Sequence, residues 1–204
     1  MSSSLYASLA WLPQPPADFG ALCKAANDAK TFRALANHTL DETQLNQLAR
    51  AIGKARKAGA DLAPLVPFKL GLISNATTHF MVPALVATAA RHGIALECIE
   101  AEYDQVMQEA LSPQSTIHQA QPDAVLLAID YRGLPLAETP GDAETTRQTV
   151  TNALAKLETI RTGLRTHSKT ICIVQTLAQP PERHFGSLDF AVPGTLRHII
   201  DAVN

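Results

Sequence analysis

Residues 67–80, PFKLGLISNATTHF, limit the fold more than any other stretch of the chain. Phe68 to Ile73 is a short, mostly apolar run that reads as a buried strand. It leads into a polar turn, Ser74-Asn75-Ala76-Thr77-Thr78, and an apolar helical pattern follows. A strand that ends in small hydroxyl and amide side chains and feeds a helix is the layout of an α/β ligand site. There the turn lies at the carboxyl edge of a parallel sheet, beneath free helix N–H groups. Ser, Asn and Thr also cap helices in ordinary βα turns, so the turn gains meaning only from what the other strand ends bring beside it.

The alternation continues. Further strands are expected at Ala95–Ala101, Ala124–Ile129 and Thr170–Val174. The third of the four, AVLLAI, is uniformly apolar, as a central parallel strand should be. Between them lie helical patterns: Val82, Leu85, Val86 and Ala89 ahead of a stop at Gly93; a short helix from about Asp104 to Leu111; and a long one from Asp142 with Val150, Ala153, Leu154, Leu157, Ile160 and Leu164 on one side. Pro83 belongs in the first turn of its helix. A last helix carries Leu196, Ile199, Ile200 and Val203. This order predicts an α/β fold: a parallel sheet of four to five strands with helices on both faces, in three α/β/α layers. No strand follows the final helix, so the domain is expected to lack its last strand or to be completed by another chain.

Residues 1–65 carry no strand signal and read as a helical extension ahead of an α/β domain at 66–204. Phe19, Leu22 and Ala26 are at helical spacing across 17–29. The clearest helix starts at Asp41, with Gln44 placed for a capping box and Leu45, Leu48, Ile52 and Ala55 as its apolar stripe. Lys54, Arg56 and Lys57 near its end suit the helix dipole and read as a solvated terminus. These helices are expected to cover the sheet edge left open by the missing fifth strand.

Composition excludes several classes. A formal net charge of -2 gives no general pull toward nucleic acid or an anionic membrane. No apolar run is long enough for a transmembrane helix, and MSSSLYASLAWLP lacks the basic start of a signal peptide. Cys23, Cys98 and Cys172 are odd in number and form no CxxC pair. They read as reduced core thiols of a cytoplasmic protein rather than disulfide or zinc ligands.

Three strand ends should meet at one edge. The first offers Ser74, Asn75, Thr77 and Thr78, the third Asp130 and Arg132, and the fourth Gln175 and Thr176. The cluster has no Cys and no His pair, so no metal site is expected in it. Asp130 and Arg132 can serve a ligand or simply pair with each other. A receiver domain would also end its third strand in Asp, but it needs acidic residues after the first strand to hold Mg²⁺, and 74–78 has none. A Rossmann or P-loop site needs a glycine-rich first turn, whereas Gly71 lies inside the strand.

Four blocks in order, SNATTHFMVPAL, IEAEYDQVMQEALSPQST, PDAVLLAIDYRGLP and IVQTLAQPPERHFGSLDFAVPGTL, resemble the N-terminal domain of FkbH-like proteins over roughly residues 67–204. The resemblance implies an SGNH-hydrolase-like fold of flavodoxin type. It also implies a following haloacid-dehalogenase-type phosphatase domain of subfamily IIIC, and a part in loading a glyceryl or related acyl group from a phosphoglycerate-type donor onto an acyl carrier protein for polyketide-type biosynthesis. Mg²⁺ would be expected only in that second domain.

The departures from the SGNH pattern are chemical. Laid on this chain, Ser74 takes the place of the Gly of the Gly-Asp-Ser turn, Asn75 that of the Asp, and Ala76 that of the nucleophilic Ser, with Thr78 at the Thr that follows. A methyl group cannot attack a carbonyl. Ile129-Asp130-Tyr131-Arg132 stands at the Gly-x-Asn-Asp block, and no Asp-x-Asp, hence no phosphatase DxDxT motif, occurs in the chain. The expectation is a non-hydrolytic domain that positions an acyl or glyceryl group, or docks an acyl carrier protein, for a C-terminal catalytic domain or partner subunit. Ser74, Asn75, Thr77, Thr78, Asp130, Arg132 and Gln175 would line its pocket, with Arg132 facing a carboxylate or phosphate. Two alternatives are an esterase or acyltransferase using Ser74, Thr77 or Thr78 with His79 or His184, and a dimerisation module built on residues 1–65.

Overall fold

The computed structural model describes residues 11–204. The parts of the helical extension and of the N-terminal segment that fall on residues 1–10 lie outside the described residues. Elements follow in the order α1 (Phe19–Ala25), α2 (Ala29–Ala36), α3 (Glu42–Lys57), β1 (Val66–Ser74), α4 (Val82–Arg91), β2 (Ile94–Glu100), α5 (Val106–Leu111), α6 (Thr116–Ala120), β3 (Ala124–Ala128), α7 (Ala143–His167), β4 (Ile171–Val174) and α8 (Leu196–Val203). Short 3₁₀ turns occur at Tyr131–Gly133 and Gly186–Phe190. The four strands form one sheet in the order β2-β1-β3-β4. Helices flank both sides of the sheet, so the fold is α/β, with further helices at the N-terminal side of the sequence.

The order explains why three strand ends share an edge. β1 runs parallel to β3, with Leu70 opposite Ala124 and Ser74 opposite Ala128. β3 runs parallel to β4, with Ala124 opposite Ile171 and Leu127 opposite Val174. Residues 75, 130 and 175 therefore leave the sheet at neighbouring positions.

The chain divides into two compact units: the described residues of Met1–Lys69 with His79–Cys98, and Leu70–Thr78 with Ile99–Asn204. In the second unit, Ile73, Val125, Leu127 and Ile129 pack with Ala153, Ile160 and Leu164 of α7 and with Ile200 of α8. In the first, Phe19 and Cys23 of α1, Phe32 and Leu35 of α2 and Leu45, Leu48 and Ile52 of α3 enclose a helical core with Ala87 and Ala90 of α4.

Several expectations need correction. The helix read across 17–29 is shorter, since α1 ends at Ala25 and a second helix, α2, begins at Ala29. Asp28 accepts from the Thr31 N–H at 3.0 Å and from its hydroxyl at 2.7 Å, which starts α2 afresh. Leu22 is exposed and Cys23 is the buried member of that turn. The α3 capping box forms as expected, with Asp41 and Gln44 bonding reciprocally. Arg56 is no solvated terminus: its guanidinium donates to the Leu96 carbonyl at 2.7 Å. In α4 the fully buried face is Ala87, Ala89 and Ala90, with Val82, Leu85 and Val86 only partly covered.

Leu154 is exposed because it lies one residue round from the buried line of Thr149, Ala153, Ile160 and Leu164. α6 was not expected. Within the first unit α2 and α3 pack on α4. In the second, Ile171, Ile173 and Val174 of β4 are exposed. Cys98 and Cys172 are only half-buried, and the three cysteines form no disulfide among the described residues.

Candidate functional site

β1 ends on Ser74, whose buried hydroxyl donates to the Ala128 carbonyl at 2.7 Å and accepts from the Ala76 N–H at 2.9 Å. The hydroxyl thus ties two strand ends and folds the turn back on itself. Asn75 completes the tie. Its amide donates to an Asp130 carboxylate oxygen at 2.6 Å, and its carbonyl oxygen accepts from the Asp130 N–H at 2.9 Å. Thr78, also buried, donates its hydroxyl to the Glu100 carboxylate at 2.8 Å, linking the turn to the end of β2. Thr77 and Ala76 are exposed.

Asp130 caps the 3₁₀ turn that follows β3, accepting from the Arg132 N–H at 2.9 Å and pairing with the Arg132 guanidinium at 3.2 Å. Partial burial pushes the Asp130 carboxyl up. The hydrogen bonds from Asn75 and the Arg132 N–H, the Arg132 charge and the Gly133 N–H outweigh it, and the carboxyl is held below its usual range. Arg132 is largely exposed and lies over the Tyr131 ring, 4.9 Å from its centre.

Of the seven residues expected to line one pocket, Asn75 and Gln175 open on different cavities. Asn75 opens on a cavity of about 280 Å³ bounded by Gly133, Lys156 and residues 104–108, which lead into the first turn of α5. Gln175, exposed and only 3.4 Å from the Ile129 carbonyl, lines a separate cavity of about 170 Å³ with Leu157, Val203 and Asn204. Asn204 seals that second one by bonding both the N–H and the carbonyl of Leu177.

Sequence reasoning missed Lys156, whose ammonium donates to the Gly133 carbonyl at 2.8 Å beside Asn75. The signal was present: Lys156 borders Leu157 one turn from Ala153 and Ile160, so it interrupts the covered side of the long helix. It also missed Glu100 as the partner of Thr78. Gly133 is fixed by space, since a Cβ there would sit 2.8 Å from the Asn75 side chain and 2.7 Å from Ile129. Asp104, on the cavity's loop, has φ 56, a left-handed conformation that Asp tolerates better than most residues.

The Ser74 proton is given to a main-chain carbonyl, which is no general base. His184 pairs with Glu138 at 3.3 Å rather than with Ser74, Thr77 or Thr78. Among the described residues no group of three His, Cys, Asp or Glu side chains is placed to hold a metal ion. The Mg²⁺ of a phosphatase domain does not fit these residues either, because the acid at the turn, Asp130, is committed to Asn75 and Arg132.

A parallel sheet with helices on both sides and a hydrogen-bonded polar corner at its carboxyl edge defines a class, the α/β domains. The chain belongs to the FkbH N-terminal domain family, whose model matches residues 69–176, more than half of its length. A solved structure similar in fold is the N-terminal part of the protein BF1531 from Bacteroides fragilis, described as containing a phosphatase domain complexed with Mg. The TM-score is 0.58 at 18% identity, and the match covers 76% of this chain and 40% of that one. No curated protein matches the chain.

Proposed function

We propose that this FkbH-type domain is a non-hydrolytic binder, which positions a small acyl or glyceryl group, or the acyl carrier protein bearing it, for a catalytic domain elsewhere. The observation that carries this reading is the fate of the turn hydroxyls. Ser74 and Thr78 spend theirs on Ala128 and Glu100, and Ala76 offers none where a nucleophile would stand. Thr77 keeps its hydroxyl exposed, and the two committed hydroxyls together with Ala76 are what support binding over attack. The cavity beside Asn75, at about 280 Å³, lies just under the range of roughly 300–1,000 Å³ typical of small-molecule sites, which suits a glycerate-sized ligand. Lys156 supplies the cation for a carboxylate or phosphate, in place of Arg132, which is engaged by Asp130. That a protein of similar fold contains a phosphatase domain supports a catalytic domain working beside this one.

The test is a titration of the chain with 3-phosphoglycerate and with acyl carrier protein, followed by amide and side-chain NMR, alongside a fluorophosphonate probe read by intact mass. Shifts centred on Asn75, Gly133 and Lys156 without covalent labelling are expected. Stoichiometric labelling of Ser74, Thr77 or Thr78 would instead establish the esterase or acyltransferase reading.

A further inference from the structure

The first compact unit holds a groove unrelated to the strand-end corner. It opens between α1 and α3 with a volume of about 590 Å³, within the range of roughly 300–1,000 Å³ found for small-molecule sites. Its floor is built from small side chains. Cys23 and Ala55 are buried and Ala51 half-buried, and all three line it. Its rim carries Lys24, Arg50 and Lys54, all exposed. None of these three cations makes an ion pair among the described residues, and no acidic residue lines the groove. The surplus extends beyond the rim. The first unit has nine Lys and Arg against six Asp and Glu, whereas the second has eight against thirteen.

We propose that this groove binds an anionic amphiphile: an acyl chain on the alanine floor with a carboxylate or phosphate head between Lys24, Arg50 and Lys54. The apolar floor supplies the burial term for the chain. Three uncompensated cations on one rim supply the charge complementarity, and they also disfavour a cationic head. A protein helix fits less well. Protein interfaces rest on large aromatic or aliphatic anchors around the contact, and the groove's border carries Lys24, Gln47, Arg50 and Lys54 with no exposed large hydrophobic among its lining residues. Cys23 takes part as packing only. Burial raises its thiol to about 11, so it is protonated and unreactive at neutral pH.

The experiment is a fluorescence titration of the full chain with 11-(dansylamino)undecanoate, followed by displacement with decanoate, decyl phosphate and decyltrimethylammonium below their critical micelle concentrations. Saturable binding, displaced by either anionic chain and not by the cationic one, is the expected result. Comparing the two anions separates a carboxylate from a phosphate source. The charge reversals Lys24→Glu, Arg50→Glu and Lys54→Glu together should weaken the probe by about tenfold or more. They sit on exposed positions, so the fold should hold, with only a modest fall in melting temperature because Lys24 and Lys54 stand in the last turns of α1 and α3. Ala51→Phe, which fills the floor, should abolish binding. The proposal is overturned if the cationic chain displaces the probe equally well, if the reversals leave affinity unchanged, if the Phe variant still binds, or if no amphiphile binds. Preferential binding of an acidic helical peptide would overturn it too.

Discussion

At the scale of single residues the Asn75–Asp130 pair organises the site. Two reciprocal hydrogen bonds hold the ends of β1 and β3 together, and one of them sets the charge state of Asp130. Partial burial opposes ionisation and the Asn75 amide leads the contributions that favour it. The sign follows. The folded carboxyl titrates below its unfolded value of about 3.9, so its contribution to stability is complete above that value. The contribution fades as pH falls through the depressed folded value. Asn75→Ala removes the leading favourable contact and should move the Asp130 titration up, as read by carbon-detected NMR of the side-chain carboxyl. An unmoved titration would mean that Arg132 alone sets the charge. Gly133→Ala attacks the same pair by crowding, because the new methyl would press on the Asn75 side chain and on Ile129. It should cost about 1–3 kcal/mol in a denaturant melt.

The parts of this corner that sequence could reveal were those fixed by chain order. Ser74, Asn75 and Asp130 end adjacent parallel strands, and alternation of strand and helix was enough to bring them together. What each side chain does there was hidden. Sequence left open whether Asp130 serves a ligand or pairs with Arg132, and its bond to Asn75, 55 residues away in the chain, was not legible at all. Lys156 reaches the corner from α7, whose rotation about its own axis is set by packing of Ala153, Ile160 and Leu164. A pattern containing Leu154 placed that rotation wrongly, because Leu154 fits the hydropathy of the stripe but not its angle.

At the scale of elements, two helical glycines separate backbone cost from packing gain. Gly163 lies on the buried side of α7 where it crosses α5. A Cβ there would come 2.6 Å from the Ala110 carbonyl oxygen and 2.7 Å from Leu111. A backbone carbonyl cannot move aside as a side chain can, so the two helices must separate. Gly163→Ala should lower stability by about 1–3 kcal/mol. Gly53 sits within α3 and a Cβ there would meet nothing within 4 Å. Gly53→Ala should raise stability by about 0.5–1 kcal/mol, the usual gain for replacing a mid-helix glycine. Opposite shifts in urea midpoint for the same substitution would show that helix packing, not propensity, conserves the close crossing. Equal shifts would show that α5 can yield. Neither glycine was distinguishable by sequence, since both occupy helical positions without a turn signal.

At the scale of the whole chain, β4 is the exposed feature of the sheet. It stands at the end of the strand order with β3 as its neighbour. Ile171, Ile173 and Val174 are exposed at 63%, 44% and 48%, while Cys172 packs against the core. Edge strands are usually blunted by lysine, proline, a bulge or a covering element, because unpaired N–H and C=O groups template the pairing of another strand. β4 contains none of those residues, and its exposed side chains are β-branched and apolar, which favours strand pairing. The chain should therefore associate as concentration rises, with a sedimentation coefficient that climbs in a dilution series. Ile171→Lys places a charge on that edge at a side chain that loses little burial, so it should suppress association while changing stability by no more than about 0.5 kcal/mol. Cys172→Lys, by contrast, should unfold the second unit, because Cys172 packs on the core and a lysine there is larger and charged. If the Ile171→Lys chain sediments as the unmodified one does, association runs through another surface. The exposed isoleucines of β4 would then be a tolerated edge rather than a pairing one.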